Sequence, residues 1–194
     1  AILGEEGGND DSAESAWLWV IDPIDGTKSY IRGLPYFGTQ VAVFYEGEVV
    51  VGVSHAPVLR ETAIARRGAG AFVNRNRLKV SNVRSLKRSL VAHGLLPLFE
   101  RRKLMPGLRK LCREAWGLQG FQDFWSYHLL ATARLDACVE AATNIWDIAA
   151  ASLIVNEAGG TVTDLRGRPI QTTTTSCIAS NGWIHKAILN LFSR

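Results

Sequence analysis

The sequence predicts an α+β fold with two lobes, an antiparallel-rich β lobe over residues 1–85 and a mixed α/β lobe over residues 86–194. Short apolar and β-branched runs separated by turn residues fill the first half, which is typical of an antiparallel meander. The second half alternates short strands with longer amphipathic stretches, which indicates layered sheet and helix. The chain has 194 residues, 47% of them hydrophobic, and is therefore long enough to bury a sizeable core.

In the first lobe, the small polar stretch 7–15 is predicted to be a surface loop. The apolar run 17–21 is predicted to be a strand that stops at the turn-forming residues 22–27. Further strands are predicted over residues 38–45, 48–54, 61–66, 70–73 and 77–80. Glu46-Gly47 and residues 74–76 are the turns expected between neighbouring strands.

In the second lobe, strands are predicted over residues 89–92, 137–140, 161–164 and 177–180, and helices over residues 99–114, 121–134, 147–158 and 185–192. Helix 147–158 has the clearest limits, because Asp147 stands at its start and Gly159-Gly160 follows its end. Helix 99–114 is expected to bury an apolar stripe made of Leu104, Leu108, Leu111 and Cys112.

Composition excludes several classes of protein. No run of about 18 apolar residues is present, so a membrane-spanning helix is not expected. The three cysteines are widely spaced with no CxxC, which argues against a disulfide framework or a zinc site and favours a reducing, cytoplasmic environment. The net charge of +4 could attract anionic ligands, but it is more often only a solvated surface, so nucleic acid is not the expected partner.

The segment Asp22-Pro-Ile-Asp25-Gly-Thr27 is the most informative part of the chain. It brings two carboxylates to the end of an apolar run, with proline and glycine shaping the turn. Two unpaired carboxylates in one site repel each other, and a divalent cation would relieve that conflict. Oxygen ligands favour Mg²⁺ or Mn²⁺. The alternative is an Asx-turn whose aspartates only cap the local backbone.

Two further acidic features support a site. Glu5-Glu6 precedes the first apolar run, and Asp147 begins a helix whose next residues, 148–151, are mostly small. A helix N-terminus favours negative charge, although a single capping aspartate is usually structural. Gly26 and Thr27 offer backbone N–H groups at a predicted helix start, where a phosphate could bind.

Together these motifs resemble the inositol monophosphatase family of Mg²⁺-dependent, lithium-sensitive phosphomonoesterases. The resemblance rests on Gly4-Glu5-Glu6, residues 19–27, Trp146-Asp147 and residues 157–160, in that order. It implies a layered αβαβα sandwich of the sugar-phosphatase type and a homodimer. Family members usually carry a helical segment of several tens of residues before the Gly-Glu-Glu motif, and this chain begins at Ala1 without it. We therefore expect this chain to have weakened metal binding and activity.

The resemblance also implies a role for individual residues in binding two or three Mg²⁺ ions, with Mn²⁺ as a possible substitute. The first ion would be held by Glu5, Asp22 and the carbonyl of Ile24, and the second by Asp22, Asp25 and Asp147. Glu5 and Thr27 would orient the attacking water. The amides of Gly26 and Thr27 would bind the phosphate, and Glu6 would be an outer support.

The substrate is predicted from other residues. Residues 120–127, which include Asp-Phe-Trp-Ser-Tyr, resemble the histidinol-phosphate phosphatase branch of the family. Histidinol phosphate carries an ammonium group, which a carboxylate would suit, and Asp123 and Glu140 are the candidates. A helix cap is the alternative role for Asp123. Ala141 departs from the Glu-Pro associated with that branch.

Other functions stay open from the sequence. Inositol phosphates, sugar bisphosphates and nucleotide phosphates are alternative substrates. A non-catalytic protein on the same fold, using its basic surface to bind a partner, is the alternative of another class. The four histidines, His55, His93, His128 and His185, are scattered and show no metal-ligand spacing, and the metal-dependent mechanism needs none of them. His128, on a predicted helix, is expected to be structural.

Overall fold

The computed structural model describes residues 1–7, 15–121 and 123–192, and most of the predicted 7–15 loop lies outside these ranges. The strands of the first sheet lie in chain order: β1 (Ile2–Gly4), β2 (Trp17–Asp25), β3 (Gly38–Tyr45), β4 (Glu48–Ala56), β5 (Glu61–Arg66), β6 (Gly70–Val73) and β7 (Asn76–Arg77). The second sheet contains β8 (Leu90–His93), β9 (Gly117–Gln119), β10 (Ala137–Glu140), β11 (Thr161–Thr163) and β12 (Cys177–Ser180). The α-helices are α1 (Thr27–Ile31), α2 (Leu96–Arg101), α3 (Met105–Glu114), α4 (Trp125–Ala131), α5 (Ile145–Glu157) and α6 (His185–Phe192).

The first sheet is the predicted antiparallel meander. Each strand from β2 to β7 pairs antiparallel with its neighbour in sequence, and only β1 pairs parallel, with β2. The second sheet has the order β11-β12-β10-β8-β9 and is mixed, as predicted. Strands β10, β8 and β9 are parallel, so their carboxyl ends meet at one edge of the sheet.

Helix α5 lies between the two sheets. Nine of its thirteen residues are buried, including all of 148–155, as expected for a helix whose middle is apolar on every side. It packs on β3, β4 and β5 of the first sheet, and the closest approach is at Gly52, where a Cβ would lie 2.7 Å from the carbonyl oxygen of Ala150. Glycine at this position therefore lets the backbone of α5 approach the sheet closely.

The second sheet is buried on both faces. Along β10, Cys138 points into the core that contains α5, whereas Ala137 and Val139 point into a second core formed with α2, α3 and α6. This alternation follows from the two-residue period of a strand. The described residues therefore stack as sheet, helices, sheet, helices, which accounts for four of the five expected layers.

We keep the division near residue 85 as a proposal. The first sheet ends at Arg77 and the second begins at Leu90, but one hydrophobic core contains residues from both sides of the division. Within the described residues, no helix is both long and apolar enough to cross a membrane.

Several predicted limits were wrong. The strand predicted over 17–21 continues to Asp25, because Asp22 and Asp25 still pair with β3 across an irregularity. The strand predicted over 77–80 is only the short β7, after which Val80 bonds to Ala158 at the end of α5. Contacts with neighbouring elements, rather than local residue preference, decide both limits.

Two predicted helices were also wrong in extent. The helix predicted over 99–114 is divided into α2 and α3, since Lys103 adopts a positive φ of 58° and Pro106 starts a new helix. Cys112 is exposed on α3 and does not belong to the buried stripe. The helix predicted over 121–134 is only α4, and its residue 122 lies outside the described ranges.

His128 of α4 is buried, and its Nε2 lies 2.7 Å from the Oγ of Ser54. The carboxylate of Glu61 lies 3.6 Å from Nδ1 and favours a charged ring, but burial dominates and, with His55, lowers the pKa of His128 to about 4. Ser54, His128 and Glu61 do not line the large cavity of the molecule, so we interpret this buried cluster as structural.

We expect the buried His128 to make stability depend on pH. An unfolded histidine takes up a proton near pH 6.5 and the folded one only near pH 4, so the free energy of unfolding should fall by about 3 kcal/mol across this window as the pH drops. Urea unfolding of the wild type and of His128→Gln at pH 7.5, 5.5 and 4.5 measures it. The variant cannot titrate at this position, and an equal pH dependence in both proteins would contradict the prediction.

Candidate active site

A cavity of about 710 Å³ lies where β2, the start of α5 and the carboxyl ends of β8 and β10 meet. The nine residues predicted to bind metal, phosphate or substrate all line it: Glu5, Asp22, Ile24, Asp25, Gly26, Thr27, Asp123, Glu140 and Asp147. Glu6, predicted as an outer support, is exposed and is not among the lining residues. The fold thus brings together acidic residues that are up to 142 positions apart (Glu5 to Asp147).

An irregular end of β2 positions the first two aspartates. Asp22 is opposite Gln40 and Asp25 is opposite Gly38, so β2 has two residues between these pairs where β3 has only Thr39. Such a bulge bends the strand and redirects its side chains. Both aspartates are almost completely buried, with 1% and 6% exposure. The amide of Ile24 donates to Asp22 Oδ1 at 2.9 Å, which fixes that carboxylate.

The backbone after Asp25 turns sharply into α1. Gly26 has a φ of 84°, a left-handed conformation that favours glycine. The hydroxyl of Thr27 donates to the carbonyl oxygen of Ile24 at 3.0 Å, so two predicted site residues are joined directly. The turn therefore places the Ile24 carbonyl, the Gly26 amide and the Thr27 side chain at one wall of the cavity.

Asp147 reaches the cavity from the first turn of α5. The helix begins after Asn144, which is its cap, so Asp147 is the third helical residue and not the cap expected from the sequence. Asp147 Oδ2 accepts hydrogen bonds from the Asn144 amide at 2.8 Å and from the Thr143 hydroxyl at 3.1 Å. This capping box holds the carboxylate in place while it lines the cavity.

Burial and mutual repulsion dominate the electrostatics of this wall. Burial, together with Glu5 and Asp147, raises the pKa of Asp22 to about 8. Burial raises the pKa of Asp25 well above its usual range, and the carboxylates of Asp123, Asp147 and Asp22 add to the effect. One oxygen of Asp25, Oδ2, is buried without a hydrogen-bond partner. Such an arrangement leaves negative charge that only a cation or protons can neutralise.

Glu140 and Asp123 form the second wall of the cavity, which adjoins the first, because Asp123 Oδ2 lies 3.3 Å from the position of a Cβ on Gly26. Glu140 ends β10, and burial with the nearby Asp123 and Asp147 raises its pKa to about 8. Asp123 precedes α4 with a positive φ of 54°, and its side chain does not cap the helix, whose cap position is Phe124. Burial also raises the pKa of Asp123, against the opposing charge of Lys28. The helix-cap alternative for Asp123 is therefore wrong.

Several lining residues were not predicted from the sequence, chiefly His93, Gly94, Gly120, Lys28 and Arg102. Three of them follow a detectable signal, because His93 ends β8 while Gly94 and Gly120 come directly after β8 and β9. Ligand sites form at the carboxyl ends of parallel strands. Lys28 and Arg102 lie on α1 and just after α2 and carry no comparable signal in the sequence.

The donors along the first wall fit a hard divalent cation. They are oxygens only, one of them is an orphaned buried carboxylate oxygen, and their mutual repulsion disappears when a cation binds. In the described part of the chain, no three acidic, histidine or cysteine side chains already form a closed metal cage. An open, partly main-chain set suits Mg²⁺, which binds one or two carboxylates and keeps several waters.

Comparisons with known proteins agree with this geometry. The model of the inositol monophosphatase family matches residues 1–194. A histidinol-phosphatase of Streptomyces coelicolor is 39% identical over 185 residues, which are 91% of this chain and 69% of that protein. A fructose-1,6-bisphosphatase/inositol-1-monophosphatase of Thermotoga maritima is 39% identical, over 90% of this chain and 67% of that protein. The crystal structure of extragenic suppressor protein suhB from Bartonella henselae matches with a TM-score of 0.90 and 32% identity, covering 100% of this chain and 79% of that one.

Proposed function

Because the chain belongs to the inositol monophosphatase family, we propose that this phosphomonoesterase hydrolyses a small phosphate ester in the acidic cavity with Mg²⁺, and that L-histidinol phosphate is its substrate. The observation that carries the proposal is the shared cavity. Its lining holds the oxygen donors of the first wall together with the carboxylates of Glu140 and Asp123, and its volume of about 710 Å³ can hold a small ester.

The residues of the first wall would hold the metal ions: Glu5, Asp22, Asp25, Asp147 and the carbonyl of Ile24. When bound, Mg²⁺ supplies a water of lowered pKa and neutralises charge on the leaving oxygen. Mn²⁺ offers the same oxygen-ligand chemistry as a substitute.

The chain itself positions the reacting groups. Thr27 donates its hydroxyl proton to the Ile24 carbonyl, so its oxygen keeps lone pairs that can accept a hydrogen bond from a water between Thr27 and Glu5. The amides of Gly26 and Thr27 face an anionic phosphate, because the left-handed turn at Gly26 brings the backbone to the cavity wall. Fixing both reactants in this way removes much of the entropic cost of the reaction.

The second wall supports an amine-bearing substrate. Glu140 and Asp123 are carboxylates in a low-dielectric setting, and an ammonium group between them would form charge-assisted hydrogen bonds. The relatives named histidinol-phosphatase agree with this choice. A ring with several hydroxyl groups would also find acceptors here, so inositol 1-phosphate is the second candidate, favoured by the relative from Thermotoga maritima.

We expect Mg²⁺-dependent phosphate release from L-histidinol phosphate, at least about tenfold faster in kcat/KM than from inositol 1-phosphate, and no release in EDTA. Glu140→Gln should remove most of this preference while phenyl phosphate, which lacks an amine, is still hydrolysed. A faster reaction with inositol 1-phosphate would keep the metal site and reject the substrate. Salt-sensitive binding of RNA without hydrolysis of any ester would favour the non-catalytic alternative.

Other properties stay predictions of the family resemblance. They are inhibition by Li⁺, a homodimeric state and a reducing compartment. Inhibition by Li⁺ would follow if Li⁺ replaced one of the bound cations, and the same phosphate-release assay measures it.

A further inference from the structure

His93 ends the central of three parallel strands whose carboxyl ends form one wall of the cavity. The register places Val139 of β10 opposite His93, and the Gly94 amide donates to the Val139 carbonyl at 3.0 Å. Glu140 therefore lies beside Gly94, so closely that a Cβ on Gly94 would lie 1.7 Å from the Glu140 Oε2 position. On the other side, Gly120 follows β9 and lies beside the His93 ring. A Cβ on Gly120 would lie 3.4 Å from Cε1 of His93.

The hydrogen bond of His93 defines the state of its ring. Nδ1 lies 2.8 Å from the carbonyl oxygen of Gly94, and because a carbonyl only accepts, Nδ1 carries the hydrogen. In the neutral ring this leaves Nε2 as an acceptor. Nε2 makes no hydrogen bond to any described residue and is not among their fully buried unpartnered atoms, and His93 is one of the residues that line the cavity.

The neighbouring groups determine what Nε2 can bind. Burial and two carboxylates raise the pKa of Glu140, and no cation among the described residues opposes this effect. Lys28, by contrast, partly compensates Asp123. The Glu140 carboxyl beside Gly94 therefore offers oxygen acceptors next to Nε2 of His93, and a ligand that brings hydrogen-bond donors satisfies both groups. A cationic donor also favours the ionised form of Glu140 over the protonated form that would otherwise compete.

We propose that His93 is a specificity-determining residue, which selects phosphate esters whose leaving alcohol carries a hydrogen-bond donor, an ammonium or a hydroxyl group, by accepting from it at Nε2 beside Glu140. The inference rests on the proposed phosphatase function and assigns a role to a residue outside the metal wall. It also accounts for the glycine at position 94, because a side chain there would displace Glu140.

The test compares His93→Leu, which loses the acceptor, with His93→Gln, whose side-chain oxygen can replace Nε2. We expect His93→Leu to lower kcat/KM about tenfold for L-histidinol phosphate and inositol 1-phosphate, mainly through KM, and less than about twofold for phenyl phosphate, which has no donor. His93→Gln should restore most of the loss. His55→Leu is the matched control, because His55 is exposed, bonds to Thr62 and does not line the cavity.

An equal loss for all three esters would assign His93 a structural role and overturn the inference, as would no loss for any of them. A wild-type protein that hydrolyses no ester with Mg²⁺ would instead contradict the proposed function. In that case, calorimetric titration of the esters into the wild type and His93→Leu tests the role of His93 in binding independently of hydrolysis. A Kd for L-histidinol phosphate that rises about tenfold in His93→Leu, with an unchanged Kd for phenyl phosphate, supports the role of His93, and an equal Kd in both proteins rejects it.

Discussion

Asp25→Asn should abolish Mg²⁺-dependent hydrolysis and at the same time make the metal-free protein more stable. Asp25 is buried, has an oxygen without a partner among the described residues and lies among four other carboxylates that raise its pKa. Loss of groups that only orient a metal ligand costs 10–100-fold in activity, so loss of a ligand itself should cost about a thousandfold or more. Removal of one buried charge from a repelling cluster should raise the free energy of unfolding by about 1–2 kcal/mol in EDTA.

Asp164→Asn provides the matched control, because Asp164 is equally buried but satisfied. Burial alone would raise the pKa of Asp164, but hydrogen bonds from Arg168 and Arg166 lower it overall. The same substitution there should destabilise the protein by about 1–3 kcal/mol and leave the activity of the remaining folded protein unchanged. Chemical unfolding in EDTA and phosphate release with Mg²⁺ measure both effects. A less stable Asp25→Asn protein would contradict the interpretation of this wall as a cation site.

Gly26→Ala should reduce both stability and activity strongly. A Cβ at Gly26 would lie 2.5 Å from the carbonyl oxygen of Tyr36 and 3.3 Å from Asp123 Oδ2, and the residue has a positive φ. Left-handed backbone costs an alanine about 1–2 kcal/mol, and forced overpacking adds about 1–3 kcal/mol. The turn must also shift away from the phosphate position, and a displacement of about 1 Å can cost a hundredfold in rate.

Gly33→Ala separates the cost of a positive φ from the cost of the close contact with Tyr36. Gly33 has a similar positive φ of 68°, but no atom of the described residues lies within 4 Å of its hypothetical Cβ. We expect a loss of only about 1–2 kcal/mol from backbone strain and little change in kcat. Comparable losses in both variants would show that the close contact with Tyr36 has no energetic weight.

The sequence predicted the site better than it predicted the limits of the elements. Asp22, Asp25 and Asp147 were predicted because several acidic motifs occur together in an order that resembles the inositol monophosphatase family, although each motif alone has a structural explanation. Their exact settings depend on tertiary contacts, so the strand that continues through Asp25 and the cap at Asn144 were not predicted.

The features that could not be predicted depend on contacts between distant parts of the chain or on rare backbone conformations. His93 and Gly94 acquire a role only because β10 lies parallel to β8 and brings Glu140 beside them, and this pairing joins residues almost fifty positions apart. The break between α2 and α3 similarly depends on Lys103 adopting a left-handed conformation, which lysine seldom adopts. Local patterns contain no information about either feature.

The position of α5 has a consequence for how the chain is made. The first sheet is complete at Arg77, but the helix that covers its apolar face ends at Glu157, 80 residues later (157 minus 77). At about 5–20 residues per second, a ribosome leaves that face uncovered for several seconds. During this time the nascent meander exposes apolar strands to other chains, so we expect its yield in the cell to depend on chaperones and on translation speed more than the stability of the finished protein would indicate.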